Sequence, residues 1–354
     1  MKDVIVVGAG TMGRVWMDTI GRRSDTRVCA IVDVVPGAAQ SAARERGWDI
    51  PALSRLDAAL HLGADMVLNA TVPEAHLDVS SAALRAGIPV LSEKPATPTV
   101  HEALVLAAVS RLTGVLVATS QSRRHSAGIR AFRDALAGFG GAAQLHTRFF
   151  QNPRFGGFRD QMEHPLLVEM AIHGFDQARF LLGAEPVSVY CEEFNPDWSW
   201  YRGAAAAEAV FRFEGGSRFS YTGSWCADGL TTSWNGEWRG SAPAGTATWD
   251  GETEVLAQGR SGPVASVALD TEPAGLDAAL EEFVAALDGG PTPSGEIHRN
   301  IWSVAMVEAS VTSSGRGAPV SFAEVFADAR QAAIARADRD VAAALLRGGD
   351  VPLR

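Results

Sequence analysis

The beginning of this chain constrains it most. Residues 3–7 (Asp-Val-Ile-Val-Val) form a β-branched run, and Gly8-Ala9-Gly10-Thr11-Met12-Gly13 follows at once. A buried strand that runs into G-x-G-x-x-G and opens a helix is the geometry a dinucleotide needs. The first glycine allows a tight turn and the second lets backbone approach a pyrophosphate. The third lets helix and strand pack closely, and the helix N-terminus faces the phosphates. Asp33 ends the next strand-like run, 20 residues past Gly13. An acid there accepts a hydrogen bond from a ribose 2′-hydroxyl and repels a 2′-phosphate, so NAD is expected and NADP disfavoured.

The pattern continues as alternating strands and helices. Strand-like runs lie at 28–33, 66–70, 88–92 and 115–119. Helical patterns lie at 13–21, 36–47, 74–86 and 98–113. Such alternation predicts a doubly wound parallel sheet with helices on both faces. Beyond residue 122 the order changes. A strand at 142–151 and a helix at 165–182 precede a series of runs, of which 187–194, 209–213, 218–225 and 230–238 are the clearest. Helices return at 275–287, 300–314 and 322–346. The expected fold class is therefore α/β: a Rossmann domain over 1–122, then an α+β domain over 123–354 with an open, mostly antiparallel sheet.

Bulk properties exclude several functions. The formal charge of −10 leaves no basic footprint for nucleic acid. No apolar run reaches the roughly 20 residues that span a bilayer. The N-terminus reads as a strand and not as a signal peptide, which predicts a cytoplasmic protein. Cys29, Cys191 and Cys226 are scattered, with no metal or disulfide spacing.

Candidate chemistry sits where strands end, because ligands of doubly wound sheets gather there. Thr71-Val72-Pro73-Glu74-Ala75-His76 follows the third strand, and Glu93-Lys94-Pro95 follows the fourth. Thr71, Pro73, His76, Glu93 and Gln121 are candidates to line the cofactor, and Lys94 reaches toward a substrate oxygen. In the second domain, Glu169 and His173 are four apart, which places them on one helix face. A carboxylate beside an imidazole orients it, and such a histidine accepts a proton from an alcohol. His164 adds a third residue of a metal-ligating type, but the spacing matches no metal motif, so no metal is expected. Arg124, Asn152 and Arg154 follow strands and are candidates for substrate contact. The second-half tryptophans (Trp198, Trp200, Trp225, Trp234, Trp238, Trp249 and Trp302) are read mainly as packing or interface groups, with sugar stacking as the alternative.

Together, G8-A-G10-T-M-G13, T71-V-P73-E-A-H76, E93-K94-P95 and E169-M-A-I-H173-G-F-D176 resemble the glucose–fructose oxidoreductase/inositol dehydrogenase (Gfo/Idh/MocA) family of NAD(P)-dependent sugar and polyol oxidoreductases. The resemblance covers nearly the whole chain. It implies that Lys94 orients and polarises the substrate oxygen, while His173 takes the hydroxyl proton as hydride moves to nicotinamide. Glu169 stands where the family has aspartate, and Ala171 where it has glycine, which leaves the role of Glu169 open. The resemblance also implies a homo-oligomer, dimer or tetramer, formed through the open sheet. Two alternatives stay open: a redox-neutral enzyme that keeps its NAD, for epimerisation or glycoside cleavage, and a non-catalytic sensor of NAD(H) or sugar.

Overall fold

The structure is a computed structural model that describes residues 1–347. Its chain divides into two compact units. The first comprises Met1–Gln121, Leu276–Val304 and residues 326–347; the second comprises Ser122–Gly275 and Ala305–Val325.

The first unit holds β1 (Lys2–Val7), α1 (Thr11–Arg22), β2 (Thr26–Val32), α2 (Ala38–Glu45), β3 (Ala52–Leu53), α3 (Leu56–Ala59), β4 (Met66–Asn69), α4 (Pro73–Arg85), β5 (Val90–Ser92), α5 (Val100–Thr113) and β6 (Val117–Thr119). The six strands are parallel in the order β3-β2-β1-β4-β5-β6. Val4 to Val7 are buried, as a central strand covered on both faces requires. Local chemistry sets the helix ends. Thr99 caps α5, accepting from Glu102 N and donating to the Glu102 carboxylate, and Gly114 closes that helix at φ +67°. Pro73 opens α4 at a position where its missing N–H costs nothing.

The sequence reading places every helix after 122 with the second domain, and here the structure differs. α8 (Gly275–Leu287) puts Ala279, Leu280, Phe283 and Val284 into the same core as Val4, Val6, Trp16 and Ile20. Burying such side chains stabilises by about 1.5–3 kcal/mol each for the larger ones. Arg22–Asp277 at 3.2 Å and Lys2–Asp288 at 2.7 Å bind the helix at its rim. The unit boundary falls within both α9 (Ile297–Arg316) and α10 (Phe322–Arg336). The run read as one helix over 322–346 breaks, because the Asp338 carboxylate accepts from Val341 N at 3.0 Å and starts α11 (Arg339–Arg347) afresh.

The second unit is built on α6 (Ala127–Gly138), β7 (Gln144–Phe150), α7 (Ile172–Leu182), β8 (Pro186–Phe194), β9 (Ala206–Phe213), β10 (Arg218–Ser224), β11 (Glu237–Ala242), β12 (Gly245–Trp249), β13 (Val255–Gly259), β14 (Ala265–Ser266) and β15 (Val320–Ser321). Its sheet runs β14-β13-β12-β11-β7-β10-β9-β8-β15 and is antiparallel except for the β7–β10 pair. Leu145, Thr147 and Phe149 alternate inward along β7 while Gln144, His146 and Arg148 face outward. α6 and α7 lie on the inward face: a Cβ at Gly240 would meet Leu136 of α6, and one at Gly174 of α7 would touch the Tyr221 ring. The strand expected over 230–238 starts only at Glu237, since Asn235-Gly236 turns the chain with Gly236 at φ +76°. Trp225, Trp238 and Trp249 are core residues, whereas Trp198 stays exposed.

Candidate functional site

In the first unit the candidate residues cluster at the carboxyl ends of β1, β2, β4, β5 and β6. Gly8 takes φ +98°, and a Cβ there would lie 2.4 Å from Ala70 O. A Cβ at Gly13 would lie 1.9 Å from Gly8 O, so helix and strand approach only because both positions are glycine. Nothing stands within 4 Å of a Cβ at Gly10, which leaves its backbone open. Thr11 and Met12 are exposed in the first turn of α1. Asp33 accepts from Ala9 N at 2.6 Å and Val35 N at 2.7 Å, so its carboxylate is fixed beside the glycine loop. These features fit a dinucleotide: open backbone at Gly10, a helix start behind it and an oriented acid after β2.

The loops after β4 and β5 are tied to each other. Asn69 Oδ1 accepts from Thr71 Oγ1 at 2.7 Å, and its Nδ2 donates to Ser80 Oγ at 3.1 Å. Trp16 of α1 donates its indole N–H to Glu93 Oε1 at 2.7 Å, and Lys94 N donates to Glu93 Oε2 at 3.2 Å. Lys94 is half-buried, and the Lys94–Pro95 peptide is cis. His76 is fully buried, its Nδ1 2.7 Å from Pro95 O and its Nε2 3.2 Å from Thr71 O. Burial pushes its pKa below the ordinary 6.5, against the carbonyls that raise it. A neutral ring has one N–H, and the shorter contact assigns it to Nδ1, donating to Pro95 O. The structure thus gives His76 a part different from lining the cofactor: its Nδ1–H ties α4 to the Lys94–Pro95 loop. Pro73 sits in the first turn of the helix carrying it. Gln121, just past β6, is buried with its Nε2 lacking a partner.

In the second unit, a π-helical stretch, Pro165–Ala171, runs into α7. It carries Glu169, and His173 follows in the first turn of α7, half-buried. The wider π turn changes the angular step between residues, so four-residue spacing across it is not the ordinary α-helical neighbour relation. Glu169 Oε1 accepts from Arg159 Nε at 2.9 Å and Nη2 at 2.7 Å, a partner outside the expected pair. Arg159 in turn covers the Phe158 ring at 4.6 Å. His164 lies 2.6 Å from Glu193 on β8, apart from any ligand set. No group of three or more His, Cys, Asp and Glu among the described residues is arranged to hold a metal.

Arg124 departs from the sequence reading. Its guanidinium meets Asp176 of α7 through Nε and Nη2, both at 2.6 Å, and both residues are buried. Satisfying the Asp176 charge draws it away from substrate contact. Its neighbour Arg123 instead lines a cavity with Thr147, Phe149, Met170, Gly174, Gln177, Tyr221 and Asn235. Sequence reasoning missed Arg123; the Arg123–Arg124 pair was the signal, but not which member points where. Asn152 Nδ2 donates to Asp228 Oδ1 at 2.8 Å, and Arg154 lies over the Trp200 ring at 3.8 Å.

Comparison with known proteins agrees with this geometry. Residues 2–121 match the profile of the oxidoreductase family with an NAD-binding Rossmann fold, and residues 139–240 match the GFO/IDH/MocA C-terminal domain. The chain is 26% identical to 1,5-anhydro-D-fructose reductase of Ensifer adhaerens, over 88% of this chain and 96% of that one. It is 31% identical to inositol 2-dehydrogenase of Rhizobium meliloti, over 52% of this chain and 56% of that one, about half of each. An oxidoreductase from Agrobacterium radiobacter, solved in complex with NAD+, L-tartaric acid and magnesium, shares the fold with a TM-score of 0.83 at 17% identity, covering 91% of this chain and 99% of that one. From the glycine loop through the mixed sheet, the chain belongs to the Gfo/Idh/MocA family of NAD-binding oxidoreductases.

Proposed function

We propose that this enzyme transfers hydride between NAD and a secondary hydroxyl or ketone of a sugar, a polyol or a related cyclic alcohol. The observation that carries the reading is Lys94. It stands at the carboxyl end of β5 between Glu93, held by Trp16, and Pro95, held by His76. A cation on so fixed a loop orients and polarises a substrate oxygen. His173, on the first turn of α7, takes the hydroxyl proton. Glu169 positions this segment through Arg159, and Asn152 offers a further polar contact to substrate. Gly8, Gly10, Thr11, Met12 and Gly13 cradle the pyrophosphate, with Thr71, Pro73 and Gln121 nearer the nicotinamide end. Asp33 accepts from the adenosine ribose, which favours NAD over NADP. NAD supplies the hydride acceptor when bound.

Steady-state kinetics of Lys94→Ala and His173→Ala test the reading. We expect each to lose about 10²–10⁴-fold in kcat, the usual contribution of a general acid or base, while NAD affinity holds. Parent-like turnover in both would overturn it.

We also propose that the protein works in the cytoplasm as a homo-oligomer. Three free cysteines suit a reducing compartment. The outward sheet face exposes Tyr190 and Val210, which suits self-association; light scattering on the purified chain tests this. No helix of the described residues is long and apolar enough to cross a membrane.

A further inference from the structure

The cavity behind α7 carries polar groups that packing alone does not explain. Thr147 on β7 and Tyr221 on β10 are cross-strand partners on the inward face. Met170, Gly174 and Gln177 line it from the helical segment above them, and His173 lies four residues before Gln177 in α7. Tyr221 is 2% exposed, Thr147 3% and Gln177 1%. Yet the Tyr221 hydroxyl, the Thr147 hydroxyl and both amide atoms of Gln177 have no hydrogen-bond partner. A buried polar group left unmatched is costly. Glycine keeps the phenol in place: a Cβ at Gly223 would lie 2.5 Å from the Tyr221 hydroxyl, and one at Gly174 would lie 3.4 Å from its ring.

Arg123 decides what these groups await. Its guanidinium donates to Trp234 O, and no carboxylate lines the cavity. Desolvation pushes its pKa down to about 10, so the charge stays at neutral pH, on a side chain that is half-buried. A neutral hydroxyl or a water satisfies a phenol or an amide but does not offset a desolvated cation. A carboxylate does both, because it accepts from a guanidinium fork and from hydroxyl and amide donors together. The cavity itself is small, about 10 Å³, and opens at its mouth, so only one small substituent of a larger molecule enters it.

We propose that this cavity binds a carboxylate group, and that the substrate is a sugar acid or another hydroxy acid whose carboxylate docks on Arg123, Tyr221, Thr147 and Gln177. The substrate half of the proposal rests on the oxidoreductase reading above; the binding half does not.

Calorimetric titration of the full chain tests it without turnover. The probes are D-gluconate beside neutral D-glucitol, D-galacturonate beside neutral D-galactose, and acetate as the bare carboxylate. The parent is expected to bind at least one sugar acid tenfold or more tighter than its neutral counterpart. Arg123→Met is expected to weaken that binding by roughly 30-fold or more, as loss of one partner of a buried charge pair does. Tyr221→Phe, which keeps the ring packing and serves if Arg123→Met does not fold, is expected to lose about tenfold. Acid binding by the parent with no NAD-linked turnover of that acid keeps the carboxylate site and overturns the oxidoreductase reading. Equal affinity for acid and neutral probes, no binding of any carboxylate, or parent-like binding by both cavity variants overturns the proposal. Acetate binding that depends on Arg123, with no sugar acid bound, keeps the site but overturns its assignment to the substrate.

Discussion

The strand ends of the first unit and the helix-covered sheet face of the second treat buried polar groups in opposite ways. Around Lys94, Asn69 serves Thr71 and Ser80, His76 donates to Pro95 O, and Glu93 accepts from Trp16. The network is largely closed within one unit, as a preorganised scaffold needs. Behind α7, by contrast, Thr147, Gln177 and Tyr221 keep unmatched atoms beside a desolvated Arg123. The first arrangement holds groups still, and the second keeps capacity for a ligand. The same unit shows what closure looks like one residue away, where Arg124 and Asp176 pair through two hydrogen bonds of 2.6 Å.

Four substitutions sharpen or break this contrast. The largest effect belongs to Asp176→Ala. It leaves Arg124 charged and buried without its acid, and we expect about 3–5 kcal/mol of destabilisation by chemical denaturation. A loss under 1 kcal/mol would mean the pair is not the closed element described. Gly13→Ala comes next, since its Cβ would lie 1.9 Å from Gly8 O. Overpacking of this kind costs about 1–3 kcal/mol. NAD affinity should fall with it; unchanged affinity and melting would show that the loop is not tight. Asp33→Asn removes the charge while keeping an acceptor. The ratio of NADP to NAD affinity should rise about tenfold, and an unmoved ratio would take Asp33 out of cofactor choice.

The smallest effect is a pH dependence at His76. Its pKa is depressed in the folded state, so between that value and the unfolded 6.5 the unfolded chain binds more protons. Stability is then full above about 6.5 and falls as pH drops through that window. Comparing thermal midpoints at pH 8 and 5 for the parent and His76→Asn isolates the residue. The variant should lose part of the acid sensitivity, and identical pH curves would remove His76 as the pin.

How much was legible in the sequence follows the same divide. The glycine loop could be read directly, because close approach fixes residue type at Gly8 and Gly13, whereas Asp33 and Glu93-Lys94-Pro95 could be located at strand ends with their roles resting on spacing and resemblance. The pin made by His76 was not legible: its partner, Pro95 O, is a backbone atom of a separate loop. Arg123 and Arg124 are equivalent as letters, and only the position of Asp176 on α7 separates them. Thr147 and Tyr221 meet through a strand register set 74 residues apart, and parallel pairing leaves no local mark. The return of α8 to the first unit was hidden for a related reason: its apolar stripe shows that it must be buried, but not against which sheet.

The most direct test of the central claim is the absorbance of reduced nicotinamide when the purified enzyme meets NAD or NADP and a panel of polyols, sugars and sugar acids. The account predicts multiple turnovers on one compound class, with NAD preferred and NADH released in proportion to product. NAD bound tightly with no reduced nicotinamide released on any compound would contradict it, and would favour a redox-neutral cycle or a sensor.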